Sequence, residues 1–297
     1  MKKTGFVAII GRPNVGKSTL INALVGEKLA IVSRKPQTTR NKITGILTSG
    51  ETQYVFMDTP GMHMPRTKLG DRMVEQTVSA MSGVDAVILM VEPISHPGDI
   101  ELSLIEKIKS LGIPAILVIN KTDKSDAVKV GDTIKAYAPL YGFDAVIPLS
   151  AAKKRGIDAL LKEVDRYMTE GNWFFPEDTI TDQPERVIAS EMIREQILRC
   201  CDDEIPHGTA VVVEEFSEGK SIIRIRAQIY CERNSHKGII IGKNGENLKR
   251  IGTRARESME KFFGIKVFLD LWVKVKENWR NNEVLLSGFG YRPEEDN

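Results

Sequence analysis

The sequence predicts two domains: a doubly wound α/β domain built on a mostly parallel sheet, then a smaller α+β module. Three observations carry this. From residue 5 to about 170 short apolar runs alternate with helical segments, and the first run opens directly into a glycine-rich loop. Beyond a break rich in aromatic, Pro, Asp and Thr residues, the pattern changes to strictly alternating strands around two helices. A chain of 297 residues is long enough to bury two separate cores.

The strand candidates of the first domain run from Phe6 to Ile10, Gln53 to Met57, Asp85 to Val91, Pro114 to Ile119 and Ala145 to Leu149. Near-continuous apolar runs of this length suit strands covered by helices on both faces, and right-handed crossovers join them in parallel. Ligands of such sheets sit at the carboxyl ends of the strands, so the residues that follow each run are the ones to inspect. Residues 1–171 are assigned to this domain, 172–185 to a linker, 186–280 to the second domain and 281–297 to a tail of unassigned role.

In the second domain a helical stripe at Ala189, Ile193, Ile197 and Cys201 leads to strands from Thr209 to Phe216 and Ser221 to Cys231, with a hairpin turn between them. A short helix, a Gly-x-x-Gly loop and a longer helix with apolar Leu248, Ile251, Ala255, Met259 and Phe262 follow. The last strand, Lys266 to Lys276, alternates again. It puts Phe268 and Trp272 off the core face, where they either pack on another element or stack on bases.

Composition excludes several classes. With 41% hydrophobic and 28% charged residues the chain is neither fibrous nor disordered. No apolar run approaches the roughly 20 residues that cross a bilayer. The start of the chain has no signal-peptide pattern, and Cys200, Cys201 and Cys231 have no metal-ligand spacing. The expectation is a cytoplasmic monomer without a structural disulfide. Charge is polarised: residues 176–220 hold 4 basic and 12 acidic side chains, residues 236–280 hold 11 and 5.

Gly11-Arg12-Pro13-Asn14-Val15-Gly16-Lys17-Ser18-Thr19 follows the first strand and enters a helix, the arrangement that wraps phosphates in backbone N–H groups. Gly11 and Gly16 allow the close approach, Lys17 supplies charge to the outer phosphates, and the Ser18 hydroxyl can ligate Mg²⁺. Asp58 emerges at the end of a strand, where it can hold a metal-bound water, and the amide of Gly61 can sense the γ-phosphate. Asn120, Lys121 and Asp123 follow another strand. Asp123 can accept hydrogen bonds from N1–H and the 2-amino group of guanine, which adenine cannot offer. Ser150, Ala151 and Ala152 form a small-residue turn suited to meeting the guanine oxygen through a backbone N–H.

With these motifs in order, the first half resembles translation-factor-type P-loop GTPases, and Lys35-Pro36-Gln37-Thr38-Thr39-Arg40 narrows the resemblance to bacterial Era-like GTPases. The resemblance implies GTP hydrolysis with Lys17, Thr39 and Gly61 in the catalytic set. It also implies a Mg²⁺ site at Ser18, Asp58 and a loop threonine, with Thr39 preferred and Thr38 the alternative. Met62 stands where better-known relatives carry a water-orienting glutamine. The resemblance therefore implies slow turnover aided by backbone groups and a monovalent cation, K⁺, near Asn14. For Arg12 and Arg40 a structural role is expected before a catalytic one.

Gly242, Lys243, Asn244 and Gly245 join two helices in a helix, two strands, two helices, strand order, which resembles a type II KH domain. That implies a single-stranded RNA site, with Lys243, Lys249, Arg250, Arg254 and Arg256 on phosphates. Ile240 and Ile241 are either an apolar floor for bases or core. The pairing of both halves implies a switch that binds the 3′ end of small-subunit rRNA, acts in small-subunit assembly and associates peripherally with the membrane. The rival is a signalling or membrane-associated GTPase whose KH-like domain binds protein.

Overall fold

The computed structural model describes every residue except Arg34, Pro36, Gln37, Ser95, Asp203 and 292–297. The end of the tail and part of the 35–40 motif therefore lie outside the described residues.

The first domain runs β1 (Lys3–Ile10), α1 (Lys17–Val25), β2 (Ile43–Ser49), β3 (Thr52–Asp58), α2 (Lys68–Ser79), β4 (Ala86–Val91), α3 (Asp99–Leu111), β5 (Ala115–Ile119), α4 (Ala127–Tyr137), β6 (Ala145–Pro148), α5 (Ile157–Val164) and β7 (Thr169–Glu170). The sheet order is β2-β3-β1-β4-β5-β6, parallel throughout except for β2 against β3 and the short β7 against β1. Alternation along each strand feeds two cores. Ile9, Phe56, Ile88 and Ile116 face one layer with Leu20 and Leu160; Ala8, Ile10, Leu89 and Leu117 face the other with Leu104 and Tyr137. Every residue from Ala86 to Val91 is fully buried, as a strand covered on both faces requires.

The edge strand β2 is the element the apolar pattern does not announce, because Thr44, Gly45 and Thr48 interrupt it. Gly45 is needed there: a Cβ would come within 2.8 Å of Ile21 on α1. Residues 172–185 are also more than a spacer. Ile46 N–H donates to Ile180 O at 2.9 Å, Thr181 Oγ1 to Thr44 O at 2.6 Å, and the fully buried Gln53 amide exchanges two bonds with the Phe175 backbone. The segment straps the exposed edge of the sheet and satisfies its backbone.

The second domain runs α6 (Glu185–Cys200), β8 (Thr209–Glu218), β9 (Ile222–Cys231), α7 (Asn234–Ile241), α8 (Glu246–Phe263) and β10 (Lys266–Val275), ending in α9 (Glu283–Gly288). Its sheet order is β10-β9-β8, with β9 parallel to β10 and antiparallel to β8. The helices cover one face, around a core of Ile193, Ile197, Ile225, Ile229, Ile251 and Met259. Cys201 and Cys231 are buried in that core, and all three cysteines are free.

The tail joins the domains. Trp279, Leu286 and Tyr291 form one buried cluster with Leu69 and Met73 of α2 and Ala210 of β8. Trp279 Nε1 donates to Gly208 O at 2.9 Å, and Glu283 pairs with both Lys68, at 3.1 Å, and Arg72.

Candidate functional sites

The loop between β1 and α1 is held from three sides. Asn120 Nδ2 donates to Val15 O at 2.7 Å, and Lys121 Nζ donates to Asn14 O at 2.6 Å while pairing with Glu92. The Lys17 ammonium bonds the Gly11 and Arg12 carbonyls at 3.1 Å each. Gly16 has φ 107°, and a Cβ there would lie 2.3 Å from Asn120 Nδ2, so no other residue fits. The Val15 side chain belongs to the core, which leaves its backbone N–H as the group it can offer a ligand. Met62 N–H donates to Gly11 O at 3.1 Å, and a Cβ on Gly61 would strike Pro13 at 2.7 Å, so the segment after β3 lies directly on this loop.

Three oxygen-bearing side chains from separate elements converge beside it. Ser18 Oγ donates to Asp58 Oδ2 at 2.7 Å, and Thr39 Oγ1 lies 2.7 Å from Ser18 Oγ and 3.3 Å from Asp58 Oδ2. Thr38 points elsewhere, its hydroxyl donating to Lys35 O at 2.6 Å. Asp58 is wholly buried, and its Oδ1 has no hydrogen-bond partner. A hard, all-oxygen donor set with an unpartnered buried carboxylate oxygen fits Mg²⁺. Burial draws the Lys17 ammonium down to about 8, opposed by Asp58, and pushes the Asp58 carboxyl up to about 6, opposed by Lys17, Ser18 and Thr39. An anion at Lys17 and a cation at Asp58 would each favour the charged form.

A cleft of about 820 Å³ continues from this loop. Asp123 stands exposed at its rim, its Oδ1 accepting from Ser150 Oγ at 2.6 Å, a bond that holds the carboxyl below its ordinary range. Ala151 N–H is engaged by Asn120 Oδ1 at 3.0 Å, which leaves Ala152 of that turn lining the cleft with Asn14, Thr19 and Lys121. The wall opposite comes from the second domain: Leu198, Arg199 and Asp202. Those three were not legible in the sequence, because their place depends on how the domains dock.

The segment carrying Thr39 is fastened to the second domain on both sides. Arg194, buried in α6, donates to Thr38 O and pairs with Glu191 at 2.7 Å. Arg40, also buried, donates to Thr209 O at 2.6 Å, His207 O at 2.8 Å, Pro206 O at 3.3 Å and Tyr291 Oη at 3.3 Å. The Lys35 ammonium reaches Cys201 O and Asp202. Arg12 instead pairs with Glu101 at 3.4 Å within the first domain.

In the second domain the turn after α7 gives Gly242 φ 75° and ψ 176°, a region open only to glycine, where a Cβ would meet Asn247 at 2.7 Å. Lys243 and Asn244 are exposed at its tip. A groove of about 390 Å³ runs from Gly245 between α8 and β10, floored by Leu248, Leu269 and Leu271 and flanked by Lys249 and Arg256. Ile240 requires correction: its side chain is completely buried in the core and has no surface to offer a base. Consecutive helical residues turn by 100°, so Ile239 is the exposed one and Ile241 is half-buried. Arg250 and Arg254 lean toward Cys200 at the end of α6, on the flank away from the groove. The floor leucines were missed because none of them stands out from ordinary core alternation. Among the described residues Phe268 and Trp272 stay 51% and 57% exposed, with Arg224 of β9 over the Phe268 ring.

Comparison with known proteins agrees with this layout. Residues 6–121 match the family model described as 50S ribosome-binding GTPase, and residues 204–280 match the KH domain model. GTPase Era of Ruminiclostridium cellulolyticum is 50% identical over 98% of both chains, and that of Clostridioides difficile 49% over 98% and 99%. Among solved structures, a single-residue variant of Aquifex aeolicus Era bound to GDP·AlF4⁻ superposes with a TM-score of 0.93 at 38% identity, over 97% of this chain and 99% of that one. Era in complex with MgGDPNP and nucleotides 1506–1542 of 16S ribosomal RNA superposes with a TM-score of 0.92 at 38% identity, over 98% and 99%. With full-length relatives at this level of identity and both domains matched in order, the chain belongs to the Era family of GTPases.

Proposed function

We infer that this chain is a GTP-hydrolysing switch whose second domain binds the single-stranded 3′ end of small-subunit rRNA, and that it acts in small-subunit assembly. The observation that carries the reading is the 35–40 loop. It brings Thr39 to the Ser18–Asp58 cluster while Arg40, Thr38 and Lys35 are bonded to the second domain. Whatever orders this loop at the phosphates also sets the seat of the RNA domain. The likeness to an Era structure holding both a GTP analogue and rRNA supports the same reading.

In this reading, backbone N–H groups of residues 14–19 and Lys17 bind the phosphates, and the Gly61 amide meets the terminal one. Ser18, Thr39 and Asp58 would hold Mg²⁺, which when bound neutralises phosphate charge. Asn120 and Lys121 brace the phosphate loop, while Asp123, pinned by Ser150, accepts from guanine. Met62 carries no group that can orient water, so turnover is slow. A monovalent cation beside Asn14 belongs to the same proposal. Hydrolysis is expected to run several-fold faster in K⁺ than in Na⁺ at equal ionic strength; equal rates would remove that cation.

The groove beside Gly245 takes about four unpaired nucleotides, with Lys243 and Lys249 on phosphates. The proposal includes a monomer in the cytoplasm with peripheral membrane attachment. Among the described residues no helix is long and apolar enough to cross a membrane. The test is fluorescence anisotropy with an RNA ending in the small-subunit 3′ sequence against a scrambled RNA. Selective binding that weakens with salt, by about 0.7 log units per contacted phosphate per decade, is the expected result. Equal, weak binding of both RNAs would transfer the domain to the protein-binding reading.

A further inference from the structure

One end of the outer face of the second sheet, at Ala210 and Tyr230, is covered by Leu285, Leu286 and Phe289, and β10 forms an edge of that sheet away from this cover. Alternation along β10 sends Leu269 and Leu271 to the groove side and Phe268 and Trp272 to the outer face, where both rings are more than half exposed. Strand register sets Arg224 of β9 beside Phe268, with its guanidinium 5.6 Å from the ring centroid, and Gln228 beside Trp272. Lys266 and Lys274 stand exposed at either end of the row. Arg226 is already engaged by Glu215 at 3.4 Å and Asp270 at 3.7 Å, so the charge open to a ligand is that of Arg224 and the two lysines.

The geometry points to a second RNA surface here: unpaired nucleotides that flank the segment in the Gly245 groove pass over the edge of β10, and their bases stack on Trp272 and Phe268. The idea rests on the RNA-binding reading of the groove and extends its footprint to the opposite face of the same strand. Aromatic rings beside arginine and lysine are the chemistry that binds single strands, because every base has a face to stack and every link a phosphate to pair. An apolar protein partner fits less well, since Asp270 and Arg226 lie between the two rings and break the patch. The face also accepts a stacked ring from within the chain. Phe289 of the tail lies on Tyr230 with ring centroids 4.4 Å apart and planes at 20°, and the open aromatic row begins beyond that covered end. At about 3.3 Å per residue the two rings are about 13 Å apart along β10, so they would receive bases that are not neighbours in the RNA.

The test uses the full chain with Mg²⁺ and a non-hydrolysable GTP analogue, and two RNAs: a core 3′ segment sized to the groove, and the same segment extended by several unpaired nucleotides at each end. Trp272→Ala is expected to lower affinity for the extended RNA about tenfold and to leave the core RNA unchanged, with Trp272→Phe keeping most of the gain. In a Trp173→Phe background, extended RNA should quench indole fluorescence in the chain carrying Trp272 and leave the Trp272→Ala chain unquenched; Trp279 is buried and serves as the constant signal. Lys243→Asp with Asn244→Asp, both at an exposed loop tip, should weaken both RNAs and so reports on the groove alone. Equal affinity of wild type and Trp272→Ala for the extended RNA, without quenching, would overturn the platform while leaving the groove in place, and would assign the face to a protein partner. Equal weakening of both RNAs by Trp272→Ala would overturn it as well. Failure of wild type to bind the core RNA would remove the groove reading and the platform with it.

Discussion

Asp123→Asn is expected to exchange guanine for xanthine, with GTP affinity falling by about 10³-fold or more and XTP bound in its place. A site built to hydrogen-bond its ligand, once the bound base covers it, rejects one lacking the matching donors by factors of about 10⁴ to 10⁵, because the covered polar groups are then left unpaired. In the variant the amide offers an N–H where guanine also presents N–H donors. Xanthine, with a carbonyl at C2, restores the match. Asp123 is exposed at the rim of the cleft and is held by a single side-chain bond to Ser150, so the substitution leaves the core untouched and the fold intact. Competition of XTP and GTP against a fluorescent nucleotide measures the exchange. Unchanged GTP selectivity would refute the guanine site.

Arg40→Ala is the second large effect, and it acts on coupling. The guanidinium is almost fully buried and serves Thr209, His207, Pro206 and Tyr291, with the Trp279 ring 5.8 Å away. Truncation leaves those acceptors without their charged donor inside the interface, a cost of about 3 kcal/mol, or roughly 100-fold in the docking equilibrium. Arg194 still fastens the loop at Thr38, and Lys17, Asp58, Asn120 and Asp123 are untouched, so GTP binding should fall by a few-fold at most. The dependence of RNA affinity on nucleotide should collapse toward unity. RNA titrations of the variant in both nucleotide states measure this; full retention of the nucleotide dependence would mean that Arg40 only packs. Lysine is no substitute, since it cannot serve three carbonyls with one planar fork.

Much of the nucleotide site was legible because its parts are fixed by order along the chain. A glycine loop after a strand, an Asp at the end of a later strand and Asn-Lys-x-Asp after another must converge on one rim of a parallel sheet. The choice between Thr38 and Thr39 was open because neighbouring residues carry the same hydroxyl, and only the backbone direction, set partly by Arg194 and Arg40, sends one of them to Asp58. Ile240, counted among the RNA-binding candidates although core packing was the open alternative, could not be settled for a related reason: one residue of helical rotation decides between core and surface, and three isoleucines in a row conceal the phase. Each bond from the strap of residues 172–185 to the sheet has a backbone group as at least one partner, so residue types alone do not announce the pairing. The tail had no role legible in the sequence, because its partners and those of the completely buried Trp279 before it, Leu69, Met73 and Ala210, come from distant parts of the chain. Local order made the chemistry readable. Domain docking, which makes a switch of it, was not readable.

The most direct test of that switch is the affinity of one small-subunit 3′ RNA for the chain loaded with Mg²⁺ and a non-hydrolysable GTP analogue, compared with the same chain loaded with GDP. Coupling between two sites typically amounts to about 1–3 kcal/mol, so the expected result is RNA binding about 5- to 150-fold tighter in the GTP state. By linkage, saturating RNA must then tighten the GTP analogue relative to GDP by the same factor. Equal RNA affinity in both states would contradict the account, leaving a GTPase and an RNA-binding domain in one chain with nothing passing between them.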